Sequence, residues 1–138
     1  ASVQTIANAM DVGDPSNFAR IYDLYGGSHK DICNDISGAT YNDTQIAETM
    51  RMCYKATGYV LDPHGACGYQ ALADSLRENE VGVFCETAHP AKFKDTVDNI
   101  LNTDIDIPER LQNFMKGQKQ SIEMSKDFAE FKTYLMNE

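Results

Sequence analysis

The sequence predicts a mainly α-helical fold with one or two short strands, as suits a mostly helical piece of a larger α/β protein. Apolar residues recur at helical spacing over most of the 138 residues. Helix-start signals, in which a capping side chain stands before a proline or three residues before a polar partner, recur along the chain. Only residues 81–86 form the short, nearly continuous apolar run that is typical of a buried parallel strand.

Two short helices are predicted near the N-terminus. Asp14 followed by Pro15 favours a helix start, because Asp can cap the free N–H groups and proline at the first helical position needs no donor. The glycine pair at 26–27 ends this helix. Ser28 then caps a second predicted helix, over residues 28–36.

Two longer helices follow. Asn42 with Gln45 three residues later resembles a capping box, and it predicts a third helix that ends at Gly58. After an extended link over residues 59–61, Asp62 followed by Pro63 predicts a fourth helix through residue 76. Its first turns are made of small residues, which let a neighbouring element approach closely. These are Gly65, Ala66, Cys67 and Gly68.

A strand-turn-helix unit is predicted next. Residues 81–86 form the strand, and after the turn at residues 87–90 the pattern becomes helical, with Phe93, Val97 and Ile100 on one side. The remaining chain predicts a helix over residues 108–116, a short extended segment over 121–124 and a final helix from Lys126.

The charge balance excludes several classes of partner. The chain has 21 acidic and 12 basic residues, a net charge of −9, so we expect no nucleic-acid partner and no anionic membrane partner. The longest apolar run, residues 81–85, is far shorter than a membrane span, and the first 30 residues show no signal peptide. We therefore expect a cytoplasmic protein.

The cysteines and histidines give no sign of a metal site. Four cysteines occur without a Cys-x-x-Cys pair, so we expect buried or half-buried free thiols and no disulfide. The histidines are far apart in the chain, and no metal is expected. The cysteines are Cys33, Cys53, Cys67 and Cys85, and the histidines are His29, His64 and His89.

Thr87, Ala88 and His89 are candidate site residues because they follow the predicted strand, where ligands bind in open α/β sheets. The same residues also allow a structural interpretation, in which Thr87 caps the next helix and His89 packs on its start. His64, beside the capping Asp62, has the same two interpretations. Lys92, one turn into the helix, fits a solvated lysine better than a Schiff-base lysine.

Residues 87–93, Thr-Ala-His-Pro-Ala-Lys-Phe, resemble a segment of threonine synthase, a fold-type-II pyridoxal-phosphate enzyme. Residues 8–12 leading into 15–18, and residues 62–69, agree with the same family in order and spacing. The resemblance covers the whole chain, as the C-terminal third of the longer, bacterial and fungal type of the enzyme. This chain departs from the family at Gly65, where Thr or Ala is usual, and at Cys67, where a small aliphatic is usual.

The resemblance implies that residues 1–138 are a single C-terminal fragment of an α/β enzyme. The full-length enzyme would convert O-phospho-L-homoserine and water to L-threonine and phosphate, with pyridoxal 5'-phosphate as electron sink. Thr87 would hydrogen-bond the pyridine nitrogen, and Ala88 and His89 would lie beside the cofactor. The family's Schiff-base lysine lies upstream, so this part would contain no catalytic residue. The fragment alone is expected to be inactive and to bind no cofactor. The surface that the missing N-terminal part would cover leaves room for self-association, and the sequence does not determine the oligomeric state.

Two alternatives remain open at this point. One is a free-standing acidic helical interaction module whose resemblance is a trace of ancestry. The other is a fragment of a different fold-type-II pyridoxal-phosphate lyase, such as a dehydratase. The segments at residues 8–18 and 87–93 favour threonine synthase over the dehydratase.

Overall fold

A computed structural model of the protein describes residues 3–8 and 15–137. Within these residues the fold is helical, as the sequence predicts, and it contains seven α-helices and one 3₁₀ turn. None of the described helices is long and apolar enough to cross a membrane. The chain divides into two compact units, Ala1–Asp106 and Ile107–Glu138.

The first unit contains five helices and the 3₁₀ turn Pro90–Phe93. The helices are α1 (Phe18–Leu24), α2 (His29–Asp35), α3 (Asp43–Thr57), α4 (Pro63–Ser75) and α5 (Lys94–Leu101). The predicted cap Asp14 lies outside the described residues, as does most of the segment at residues 8–12. Helix α1 begins after Asn17, whose side chain makes no capping hydrogen bond.

Three of the predicted helix starts are confirmed by their hydrogen bonds. The Ser28 hydroxyl accepts a hydrogen bond from the backbone N–H of Asp31 at 3.3 Å. At α3 the capping box is complete, with Asn42 and Gln45 each accepting from the other's backbone N–H at 3.0 Å. The Asp62 side chain caps α4 by accepting hydrogen bonds from the backbone N–H groups of His64 and Gly65. Local sequence therefore sets where these helices begin.

The core of the first unit lies where α3 packs against α4 and α5. Arg51 on α3 also donates a hydrogen bond from Nε to the carbonyl of Ile100 at 3.0 Å, which joins α3 to α5. Lys94 bonds Asp98, Asp104 and the Ile105 carbonyl, and so holds the chain that follows α5. The buried hydrophobic side chains are Ile46, Met50, Cys53, Leu61, Ala66 and Val97.

The strand predicted over residues 81–86 is not confirmed, since the described residues contain no strand. The segment is not helical either, and exposure alternates along it from one residue to the next, with the period of two of an extended chain. Its outer face includes Val81 and Val83, which are 95% and 86% exposed. A strand needs a neighbouring strand for its hydrogen bonds, and no described residues supply one.

The second unit contains α6 (Glu109–Met115) and α7 (Phe128–Asn137). The helix predicted at 108–116 is thus confirmed to within one residue at each end. Residues 121–124, predicted to be extended, have no regular structure. Large apolar side chains of both helices, including Phe114 and Phe128, are exposed.

The four cysteines are free thiols. Cys53 is buried and Cys67 is half-buried, as expected. The expectation of burial is wrong for Cys33 and Cys85, which are exposed: Cys33 lies on a short helix without buried residues, and Cys85 lies on the outer face of the 81–86 segment. The described residues contain no group of three or more His, Cys, Asp or Glu side chains that could hold a metal ion.

Candidate functional site

The candidate site lies on residues 81–89, which directly precede the 3₁₀ turn. Alternate residues of this segment pack on α4 and form its inner face. The ring of Phe84 meets the ring of Tyr69 edge-on, with centroids 5.5 Å apart. Gly82 approaches the side chain of Leu72 so closely that a Cβ at position 82 would overlap it. These contacts leave Thr87 on the outer face.

Thr87 is exposed, and its hydroxyl has no hydrogen-bond partner among the residues described. Ala88, the next residue, is half-buried. A threonine hydroxyl is one donor and two acceptors, so this side chain has its full hydrogen-bonding capacity available for a ligand. The structure therefore leaves Thr87 able to meet the polar atom of a bound group.

His89, rather than Thr87, caps the turn that follows. Its Nδ1 atom accepts a hydrogen bond from the backbone N–H of Ala91 at 3.1 Å, and Pro90 occupies the first position of the turn. The interpretation of Thr87 as a helix cap is therefore wrong. The packing of His89 on the start of the next helical element is confirmed in the form of a cap.

The N-terminus of α4 lies beside this turn. Asp62 is fully buried, and its Oδ1 atom accepts hydrogen bonds from the backbone N–H groups of His64 at 2.8 Å and Gly65 at 3.4 Å. The Nδ1 atom of His64 lies 3.3 Å from the same oxygen. The His64 ring also packs on Phe93, with centroids 5.3 Å apart. His64 therefore connects α4 to the 3₁₀ turn.

Lys92 lies over the ring of Phe93, with Nζ 5.7 Å from the ring centroid. At this distance the ammonium is within the range of a cation–π contact. Lys92 is exposed, which agrees with its interpretation as a solvated lysine.

Glu86 is a feature of the site that sequence reasoning missed. One of its carboxylate oxygens, Oε1, accepts a hydrogen bond from the backbone N–H of Asp62 at 2.8 Å. Burial, together with the neighbouring Asp62 carboxyl, raises the pKa of Glu86 to about 7. The available signal was an acidic residue at the inward position of an apolar run, directly before Thr87.

Gly65 is the reason that Glu86 fits against α4. A Cβ built on Gly65 would overlap the Glu86 carboxylate, so an alanine or threonine there would displace it. The small residues in the first turns of α4 therefore do admit a neighbouring element, as the sequence predicts. A side chain other than hydrogen at position 65 competes with Glu86 for the same space.

Comparison with protein families identifies residues 65–135 with a family model described as "Threonine synthase, C-terminal". Threonine synthase of Haemophilus influenzae is 38% identical over 135 residues, which are 98% of this chain and 31% of that protein. Threonine synthase of Escherichia coli is 36% identical over 137 residues, which are 99% of this chain and 32% of that protein. The chain thus spans about a third of the relatives it matches.

Comparison with solved structures also finds threonine synthases. The crystal structure of threonine synthase from Escherichia coli superposes with a TM-score of 0.76 at 37% identity, over 99% of this chain and 32% of that one. The structure of pyridoxal-phosphate-bound threonine synthase from Brucella melitensis superposes with a TM-score of 0.67 over 99% of this chain and 35% of that one. At 22% identity, the second match shows the fold alone.

Proposed function

The chain belongs to the threonine synthase family, of which it matches the C-terminal part, and on this basis we propose that it acts within a longer threonine synthase. That enzyme converts O-phospho-L-homoserine and water to L-threonine and phosphate. The family assignment favours this function over the helical interaction module and over another fold-type-II lyase. Residues 1–138, in both compact units, form one C-terminal part of the enzyme, and the rest of the protein supplies the lysine that binds the cofactor.

Within the enzyme, Thr87 hydrogen-bonds the ring nitrogen of pyridoxal phosphate. The observation that carries this assignment is the exposed Thr87 hydroxyl, which has no partner among the described residues, while the cap of the next turn comes from His89. When bound, the cofactor supplies an electron sink for the reaction. The hydroxyl is neutral, so it orients the ring without holding its nitrogen protonated as a carboxylate would.

His89 and Ala88 place the turn beside the cofactor. The His89 cap fixes the chain between Thr87 and the 3₁₀ turn, and Ala88 is half-buried between them. Their role is to hold the Thr87 hydroxyl in one position, which lowers the entropy that cofactor binding must remove.

We propose further that residues 81–86 become a strand in the enzyme by pairing with a part of the protein outside this chain. Alternating exposure and the outward Val81 and Val83 side chains support this pairing. In hydrogen exchange, the backbone amides of residues 81–86 should be protected in the longer enzyme and unprotected in the 138-residue chain. Equal protection in both proteins would contradict the pairing.

The proposed function is tested by assaying the longer protein with O-phospho-L-homoserine and pyridoxal phosphate. We expect threonine and phosphate to appear in equal amounts. The 138-residue chain, assayed in parallel, should release neither and should give no specific adduct with the cofactor after borohydride reduction. The proposal fails if the longer protein makes no threonine, or if the 138-residue chain makes it alone.

A further inference from the structure

Two carboxyl groups meet where α4 begins and residues 81–87 pass over it. Glu86 Oε1 accepts a hydrogen bond from the N–H of Asp62, and Asp62 Oδ1 accepts from the first N–H groups of α4. The second oxygen of each carboxyl group, Asp62 Oδ2 and Glu86 Oε2, is buried and has no hydrogen-bond partner among the described residues. Both unpartnered oxygens thus belong to the same pair of side chains.

A buried carboxylate oxygen without a donor is unfavourable, and the neighbouring Asp62 carboxylate also disfavours the ionised form of Glu86. One proton removes both costs at once, because a protonated Glu86 can donate to Asp62 and leaves a single negative charge in the pair. Asp62 is the suitable acceptor, since its other oxygen caps α4, where negative charge is stabilised. A proton held between these two groups would give both buried oxygens a partner.

We propose that one proton, carried by Glu86 and shared with Asp62, ties residues 81–87 to the N-terminus of α4 and makes Glu86 a positioning residue for Thr87. This inference rests on the proposed function for the role of Thr87. Because Glu86 points inward to α4, the next residue, Thr87, points outward. Fixing Glu86 therefore also fixes the position of Thr87. Loss of the proton ionises both carboxyl groups, whose repulsion then loosens the segment beneath Thr87.

Among the described residues, the other titratable side chains linked to the pair are His64 and Cys67, both on α4. His64 contacts Asp62 through its Nδ1 atom at 3.3 Å, on the oxygen that is already used for capping. Burial and the charge of Asp62 raise the pKa of the Cys67 thiol, which therefore stays protonated and neutral. Lys92, on the 3₁₀ turn, lies over Phe93. None of these side chains donates a hydrogen bond to Asp62 Oδ2 or Glu86 Oε2, so a proton is the remaining partner for these two oxygens.

The test compares the longer enzyme with its Glu86→Gln and Glu86→Ala variants, and with Glu78→Gln as matched control, because Glu78 is exposed and has no hydrogen bond among the described residues. The kcat/KM of the wild type and of Glu78→Gln should fall about 10-fold from pH 6 to pH 8 as the shared proton is lost. Glu86→Gln keeps a permanent hydrogen-bond donor, so its kcat/KM should change by no more than about 2-fold between pH 6 and pH 8. The kcat/KM of Glu86→Ala should be lower than that of the wild type at pH 6.

A second measurement separates this inference from the proposed function. In the 138-residue chain, the carboxyl carbon of Glu86 is followed by NMR during a pH titration. A midpoint near 7 supports the shared proton, and a midpoint near the ordinary value of 4.5 overturns it. The positioning role is overturned if Glu86→Gln keeps the pH profile of an active wild type. If the wild type makes no threonine, the proposed function fails and the positioning role falls with it, while the NMR titration still decides the shared proton.

Discussion

The Nδ1 atom of His89 accepts a hydrogen bond from the backbone N–H of Ala91 at 3.1 Å, so the turn that begins at Pro90 is capped without Thr87. Thr87 and His89 stand two positions apart in the same motif, but their side chains have different roles. His89 has a structural task within the chain, whereas the Thr87 hydroxyl is available to a ligand. Each residue therefore gives a different experimental signature when it is changed.

Thr87→Val in the longer enzyme should lower turnover roughly 5- to 150-fold, because an unpaired buried ring nitrogen costs about 1–3 kcal/mol. The absorption band of the bound cofactor should shift, while the melting temperature should change by only a few degrees. Thr87→Ser retains the hydroxyl and should recover most of the activity. Wild-type turnover with an unchanged spectrum in Thr87→Val would show that this hydroxyl does not contact the cofactor.

His89→Ala should destabilise the 138-residue chain by about 1 kcal/mol, the usual loss when a capping side chain is removed. His89→Asn should lose much less, since asparagine is itself a good capping residue. Urea unfolding measures both variants. Equal stability of the wild type and His89→Ala would show that the hydrogen bond to Ala91 adds nothing to the free energy of unfolding.

The raised pKa of Glu86 predicts a stability that depends on pH. The group titrates near 4.5 when unfolded and near 7 when folded, so the folded state binds more protons between these values. Its contribution is therefore complete below pH 4.5 and is lost as the pH rises through 7. Solvent screening of the partly exposed side chain reduces this contribution to about 1–2 kcal/mol.

The measurement is the difference in unfolding free energy between the wild type and Glu86→Gln, at pH 5 and at pH 8. The variant has no carboxyl at position 86, so the difference isolates this group from the other acids. The wild type should lose stability relative to Glu86→Gln on going to pH 8. A difference that is the same at both pH values would mean that Glu86 titrates alike in the folded and unfolded chains.

Gly65→Ala should be about 1 kcal/mol less stable than the matched variant Gly68→Ala, as measured by urea unfolding, because the displaced Glu86 carboxylate gives up its hydrogen bond to Asp62. Both substitutions add one methyl group to α4. At position 65 the methyl overlaps the Glu86 carboxylate, whereas at position 68 it lies 3.9 Å from Phe84, an ordinary contact. Adding Glu86→Ala should remove most of the penalty of Gly65→Ala. If the double variant is as unstable as Gly65→Ala alone, the added methyl group does not destabilise the protein through Glu86.

Helix starts were predictable because capping is a local interaction. The bonds at Ser28, Asn42 and Asp62 join groups two or three residues apart, so the residue types and their spacing are enough to predict them. The first helix is less well predicted, since it begins at Phe18 and its proposed cap Asp14 lies outside the described residues. The segment that contains Thr87 was likewise found from its own sequence.

The sequence by itself determined helices α3 and α4, the motif around Thr87, and the small residues of α4 that allow a neighbouring element to approach closely. Only the tertiary structure decided that Glu86 fills the space above Gly65. It also left residues 81–86 without strand hydrogen bonds. The physical reason is range: the contact from Glu86 to Asp62 spans 24 positions in the chain, and a strand needs a partner strand from elsewhere. Periodicity and spacing describe only neighbours along the chain, whereas burial and pairing depend on what the fold brings together.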